Sequence, residues 1–339
     1  MSSSPVTDIH SHFLPKEWPD LAERFGTPDW PWMRHTEAGK AMLMVGEKEF
    51  RPVYDACWDA GRRIEEMDRD GIDRQVISAT PILFAYQRSA AHAADCARLF
   101  NDLALGICGK GQGRLLSLCQ VPLQDTDAAC EELSRAMRAG HVGVQIGNHV
   151  GDRNLDDEGL ITFLQHCADE GAAVLVHPWD MLARERTTRY MMAWTVGMPA
   201  ETQLGVVSMI LGGAFDRLPE SLRLCFAHGG GSFAFLLGRL DNAWRRRDIV
   251  RGKSRNLPSS YLRRFYVDSA VFDPTALRFL ADVMGEDRVM LGSDYPFPLG
   301  EEIVGELIRT AAGFSDAARA RMLGGNAAEF LNLADSQVN

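Results

Sequence analysis

Five side chains in the 339-residue sequence share one setting. His10 and His12 close a short run, Val6 to His12; His177 closes Ala172 to His177; His228 closes Leu222 to His228; and Asp294 closes Arg288 to Asp294. Side chains alternate faces along an extended chain, so His10 and His12 point the same way while Ser11 faces the opposite side. Three imidazoles and one carboxylate suit Zn²⁺, or less selectively Mn²⁺, Fe²⁺ or Co²⁺, because nitrogen donors with one oxygen donor match a borderline-soft divalent cation. Four protein ligands suffice. His228 is then the extra strand-end imidazole, able to hydrogen-bond a metal-bound water and take its proton, and such a water has a pKa of about 7 in well-studied sites. The five lysines stand at 16, 40, 48, 110 and 253, none within a strand-like run. That census excludes both a carbamylated lysine bridging two metals and a Schiff-base lysine, and a single metal is expected.

Groups of this kind react together only if the chain brings their strand ends to one place. Eight short apolar runs recur, each followed by a longer stretch of helical periodicity. Besides the four above they are Gln75 to Ala79, Arg114 to Val121, Val142 to Gly147 and Phe265 to Ser269. Helices are predicted at Asp127 to Ala139, ahead of Gly140, and at Pro274 to Met284, with Asp273 as cap and Pro274 at the first helical position. Eight strand-then-helix units imply a closed parallel barrel, an α/β fold whose strand C-terminal ends converge on one mouth. An open doubly wound sheet would place a phosphate loop after the first strand, where this chain has histidines. Two glycine clusters resemble such loops, Gly109 to Gly113 and Gly229 to Gly231, but the first precedes a strand and the second lacks the lysine and hydroxyl residue. The stretch 13–70 is too long for one crossover and is expected to form a small inserted lobe, with Ala41 to Val45 and Glu49 to Val53 as a hairpin about Gly46-Glu47-Lys48. Residues 300–332 supply a final helical layer, and the whole chain, 1–339, reads as one barrel domain.

The charge balance, 36 basic against 46 acidic residues for a net of −10, argues against a nucleic-acid groove or an anionic membrane as partner. The longest nearly apolar run, Leu204 to Phe215, is too short to span a bilayer and is expected as a buried helix. No basic or apolar leader precedes Val6, and the seven cysteines are odd in number with no C-x-x-C pair; a cytoplasmic protein with reduced core cysteines is expected.

The pattern His10-x-His12, His177, His228 and Asp294 resembles the metal-dependent amidohydrolase superfamily, which implies a distorted (β/α)₈ TIM barrel. Longer strings narrow the likeness. Lys16-Glu-Trp-Pro-Asp20, Phe50-Arg-Pro-Val-Tyr54, Val144-Gln-Ile-Gly147, His177-Pro-Trp-Asp-Met181, Met198-Pro-Ala-Glu-Thr202, Ala227-His-Gly-Gly-Gly231 and Gly292-Ser-Asp-Tyr-Pro-Phe-Pro-Leu-Gly300 are similar to the 2-amino-3-carboxymuconate 6-semialdehyde decarboxylase family. By that resemblance His10, His12, His177 and Asp294 hold Zn²⁺, and His228 is the acid/base residue. Arg51 and Arg239 grip the substrate carboxylates, with Arg239 donated across a homodimer interface. Paired guanidinium donors match the two oxygens of a carboxylate, which suits a dicarboxylate substrate. The resemblance also places Trp194 and Phe297 on an apolar wall; Trp179 and Met181 either extend that wall or belong to the core. The implied activity is metal-dependent, non-oxidative loss of CO₂ without an organic cofactor. A decarboxylase of a hydroxybenzoate-type acid and a mononuclear hydrolase or deaminase are the rival readings.

Overall fold

The computed structural model describes residues 4–333. Its strands run β1 (Thr7–Phe13), β2 (Pro31–Glu37), β3 (Lys40–Val45), β4 (Lys48–Tyr54), β5 (Arg74–Ala79), β6 (Leu115–Cys119), β7 (Gly143–Gly147), β8 (His149–Val150), β9 (Arg153–Asn154), β10 (Ala173–His177), β11 (Arg223–Phe226), β12 (Tyr266–Asp268) and β13 (Val289–Met290). Eight of them form one parallel sheet in the order β1-β5-β6-β7-β10-β11-β12-β13. These are the eight apolar runs in chain order, with helices in most of the crossovers, and the architecture is a distorted (β/α)₈ barrel.

The distortion lies where the sheet closes. Between β13 and β1 the bonds are irregular: Ile9 N–H donates to Leu291 C=O (2.9 Å), Asp294 N–H to His10 C=O (2.9 Å) and His12 N–H to Tyr295 C=O (2.7 Å). The eighth run is therefore regular strand over Val289–Met290 only, and Asp294 stands beyond it with φ +60°. His228 likewise follows the end of β11, at φ +55°. A strand would have sent alternate side chains outward, whereas a left-handed residue turns the chain so that its side chain is re-aimed.

Helix boundaries follow capping chemistry. The helix Thr126–Ala139 begins one residue before the sequence reading places it, because the Asp125 side chain accepts from Ala128 N–H, and it ends at Gly140 with φ +115°. The helix Pro274–Met284 starts as Asp273 accepts from Ala276 N–H. Of the apolar run Leu204 to Phe215, the part up to Leu211 lies in the helix Met198–Leu211, whose Val206, Met209 and Ile210 are buried, and the helix ends at Gly212 before the run does. Ile9, Val76, Leu118, Leu175, Cys225 and Met290 form a cluster inside the barrel, joined by Phe330 and Leu331 of the terminal helix Asn326–Leu331. A larger core lies between strands and helices and also takes in Trp30, Leu43 and Val53.

Those three residues come from stretch 13–70. There β3 pairs antiparallel with β4, and Leu43 stands opposite Arg51. A third strand, β2, which the sequence pattern did not reveal, pairs with the other edge of β3. The seven cysteines are all free thiols, and no helix among the described residues is long and apolar enough to cross a membrane.

Candidate active site

The barrel mouth gathers four of the five strand-end groups into one cluster. One ligand atom from each of His10, His12, His177 and Asp294 lies within 4.8 Å of the others, and all four residues are buried. The Nε2 atoms of His10 and His12 are 3.2 Å apart, and His12 Nε2 is 3.0 Å from Asp294 Oδ1. Tetrahedral coordination at the usual Zn–N length of ~2.05 Å would place neighbouring donors about 3.3 Å apart. Two neutral imidazole nitrogens facing each other at this distance repel unless a cation or proton lies between them, so the donor set fits a divalent metal ion.

Hydrogen bonds behind the rings set their tautomers. Asp268 Oδ2 is 2.7 Å from His10 Nδ1, and a carboxylate only accepts, so Nδ1 carries the hydrogen and Nε2 keeps its lone pair. His177 Nδ1 donates to Pro178 C=O at 2.7 Å, which leaves Nε2 buried without a protein partner. Burial lowers the pKa of His12 to about 4 despite the Asp294 carboxylate beside it. It also holds His177 well below the ordinary histidine value, with the neighbouring imidazoles adding to the effect. Burial opposes charge on His10 too, but the bond and charge of Asp268 outweigh it and raise His10. Asp294 is held well below the usual carboxylate range, since contacts to His12 and His228 overcome its burial. His12, His177 and Asp294 are thus in the forms that bind metal, whereas His10 gives up its Nε2 proton when a cation takes its place.

His228 stands beside the cluster. Its Nε2 is 3.7 Å from Asp294 Oδ2, its ring centroid lies 5.0 Å from that of His177, and both its ring nitrogens are buried with no hydrogen-bond partner. An imidazole in this state can exchange a proton with a small molecule at the mouth.

Two supporting residues were not singled out from the sequence. Asp8, fully buried on β1, accepts from Ser293 Oγ (2.6 Å), Ser293 N–H (3.1 Å), Gln75 Nε2 (3.0 Å) and His10 N–H (3.2 Å). It ties the strand carrying two ligand histidines to the segment carrying Asp294, and its place two residues before His10 was the available signal. Arg63, on the helix Ala60–Asp70, donates to His12 C=O (2.6 Å), Gln75 Oε1 (2.7 Å) and Ser11 Oγ (3.2 Å). It also lies over the ring of Tyr295 at 4.9 Å, and the Tyr295 hydroxyl donates to Glu66 (2.6 Å).

A cavity of about 830 Å³ opens onto the cluster and includes His12, His177 and Asp294 in its lining. Arg51 reaches it from β4, over the Phe297 ring at 4.5 Å and within 6.0 Å of Trp194. Met181, Trp194 and Phe297 line the same space. Trp179 does double duty, lining the cavity and packing on the core. It can lie there because β7 ends in glycine: a Cβ on Gly147 would come within 2.5 Å of Trp179 and 2.9 Å of Tyr86. Arg239, on the helix Phe233–Arg246, is exposed and does not line this cavity.

The amidohydrolase family model matches residues 7–333. The chain belongs to the amidohydrolase family. Within this family, the 2-amino-3-carboxymuconate-6-semialdehyde decarboxylase of Dictyostelium discoideum is 43% identical over 328 residues, covering 96% of this chain and 91% of that protein. Among solved amidohydrolase-like structures, the apo form of Metarhizium anisopliae IDCase superposes with a TM-score of 0.82 at 26% identity, over 97% of each chain. The 5-carboxyvanillate decarboxylase of Novosphingobium aromaticivorans, in complex with manganese and 4-hydroxy-3-methoxy-5-nitrobenzoic acid, has a TM-score of 0.73 at 26% identity over 82% of each chain.

Proposed function

We propose that the protein is a metal-dependent, non-oxidative decarboxylase that converts 2-amino-3-carboxymuconate 6-semialdehyde to 2-aminomuconate 6-semialdehyde and CO₂. The observation that carries the reading is Arg51 in the metal-site cavity: a guanidinium set among the rings of Phe50, Trp194 and Phe297 is suited to receive a carboxylate, beside the four-donor cluster. His10, His12, His177 and Asp294 would hold the cation. Zinc is the first choice for three nitrogens and one oxygen, although the carboxyvanillate decarboxylase carries manganese. When bound, the ion supplies Lewis-acid stabilisation of negative charge developing on a nearby oxygen.

Decarboxylation breaks one carbon–carbon bond. CO₂ departs without the bonding electron pair, the carbon left behind takes up one proton, and no electrons are exchanged with a redox partner. His228 is the group that holds and passes that proton, through a buried imidazole free of competing hydrogen bonds. Arg51 pairs with a carboxylate and fixes the substrate's orientation, while Trp194, Phe297 and Met181 cover its conjugated carbons and exclude water. A dicarboxylate needs a second receptor. Arg239, exposed on its own subunit, supplies it from the partner of a homodimer, and the cytoplasm is the proposed location.

A second reading, decarboxylation of a hydroxybenzoate-type acid, draws on the aromatic acid bound in the carboxyvanillate enzyme. Purified, metal-loaded protein given each substrate separates the two. The proposal expects rapid loss of the semialdehyde chromophore with one CO₂ released per molecule, and turnover that disappears on chelation and returns with Zn²⁺. Turnover of hydroxybenzoates alone would replace it with the second reading.

A further inference from the structure

We propose that Asp268 is a positioning residue that fixes two groups of the site at once: one carboxylate oxygen sets the tautomer of the ligand His10, and the other holds the turn that presents His228. Asp268 ends β12 and is fully buried. Its Oδ2 is the 2.7 Å partner of His10 Nδ1, while its Oδ1 accepts the N–H of Gly229 at 2.8 Å and of Ala270 at 3.2 Å. One side chain therefore joins β1, the turn after β11 and its own strand. That turn needs a tether, because His228 and the three glycines after it all have positive φ, at 55°, 62°, 73° and 63°. For a histidine this is a sparsely populated conformation that persists only where its surroundings impose it.

Room for the contact comes from Gly292. A Cβ there would lie 2.7 Å from the Asp268 Cβ and 2.9 Å from the His10 Cβ, so any larger residue would force the pair apart. An asparagine at 268 has nearly the same shape but accepts on only one side. Its amide N–H₂ must face either the His10 Nδ1–H or the Gly229 N–H, so one of the two loses its acceptor. If His10 instead moves its hydrogen to Nε2 to suit the amide, the nitrogen facing the cluster is no longer a ligand.

The inference rests on the metal-site part of the proposed function, and its test reads metal and protons rather than turnover alone. Zn²⁺ and Mn²⁺ affinities are measured by chelator competition on full-length wild type, Asp268→Asn and Gly292→Ala. Protein labelled with nitrogen-15 at histidine and glycine is followed by NMR. Asp268→Asn is expected to bind each metal about 10- to 100-fold more weakly, the usual cost of losing such an outer partner. It should also lose the hydrogen-bonded Nδ1–H resonance of His10 and shift the Gly229 amide. Gly292→Ala, which keeps the carboxylate but parts the pair, should change all three in the same direction. If Asp268→Asn fails to fold, the wild-type resonance and Gly292→Ala decide. Metal affinity within about twofold of wild type, or an intact His10 Nδ1–H signal in Asp268→Asn, would overturn the role of Asp268 and leave the decarboxylase reading standing. Failure of the wild type to bind metal would remove both.

Discussion

In the proposed reaction the site handles a proton through His228 and a first carboxylate through Arg51. His228 has no partner in the protein for either ring nitrogen and does not belong to the four-donor cluster. His228→Ala should therefore keep about one metal per chain by elemental analysis while turnover drops ~10²-fold or more, the scale of a positioned acid/base group; unchanged turnover would remove it from the chemistry. Arg51 lies over the Phe297 ring, and burial lowers its pKa from the ordinary arginine value, opposed by the Asp294 carboxylate. Lysine there would retain the charge but lose the paired donors and the stacking. Arg51→Lys is predicted to lower kcat/KM by ~10- to 100-fold, the worth of one or two charged hydrogen bonds, in steady-state assays with the dicarboxylate. Much of this was legible in the sequence, since a histidine or aspartate closing an apolar run announces itself. Asp8 did not, because its place two residues before His10 is the only signal and one carboxylate on the face of a strand makes no pattern by itself.

At the scale of elements, the short apolar runs located all eight barrel strands, because apolar β-branched stretches between helical segments admit few other readings. Two features escaped. The third strand of the lobe, β2, carries exposed and half-buried residues along most of its length and so lacks the alternation that marks a strand. The helix Ala60–Asp70 turns Arg63, Glu66 and Asp70 inward beside Ile64 and Met67, where a sequence pattern assigns charges to solvent. Arg63 is held there by three acceptors, two of them on β1. Arg63→Met should strand those acceptors in the core and cost ~3 kcal/mol or more, about 1 kcal/mol or more for each acceptor left unpaired, measured by urea unfolding; a cost near zero would mean that the arginine merely fills space.

The connection between the helix Thr126–Ala139 and β7 holds a second buried titratable group, His141. Burial lowers its pKa from 6.5 to about 4, so the unfolded chain takes up its proton first as pH falls. The stabilisation is complete above about pH 6.5 and is lost progressively down to about pH 4, amounting to ~3 kcal/mol at most. His141→Leu removes that linkage. Wild type should lose stability relative to the variant as urea titrations move from pH 7 to pH 4, and a constant difference across that range would show that His141 does not titrate on unfolding.

For the whole molecule, the open question is where the second carboxylate receptor comes from. Arg239 is exposed on the helix Phe233–Arg246, outside the cavity of its own chain. Phe235 on the same helix is 79% exposed and Ile249, just beyond it, 85%. Large apolar side chains this open to water, next to the arginine proposed as the second receptor, suit a face covered by a second copy. A twofold dimer makes the exchange reciprocal, so the two inactive variants Arg239→Ala and His228→Ala should complement each other. In a hybrid dimer the Arg239→Ala chain keeps His228 and receives Arg239 from its partner, giving one complete site, while the other site lacks both groups. Random exchange of equal amounts makes half the dimers hybrid, so about a quarter of wild-type activity should return. Native mass spectrometry confirms the exchange, and hybrids that form yet stay inactive would place the second carboxylate on residues of the same chain.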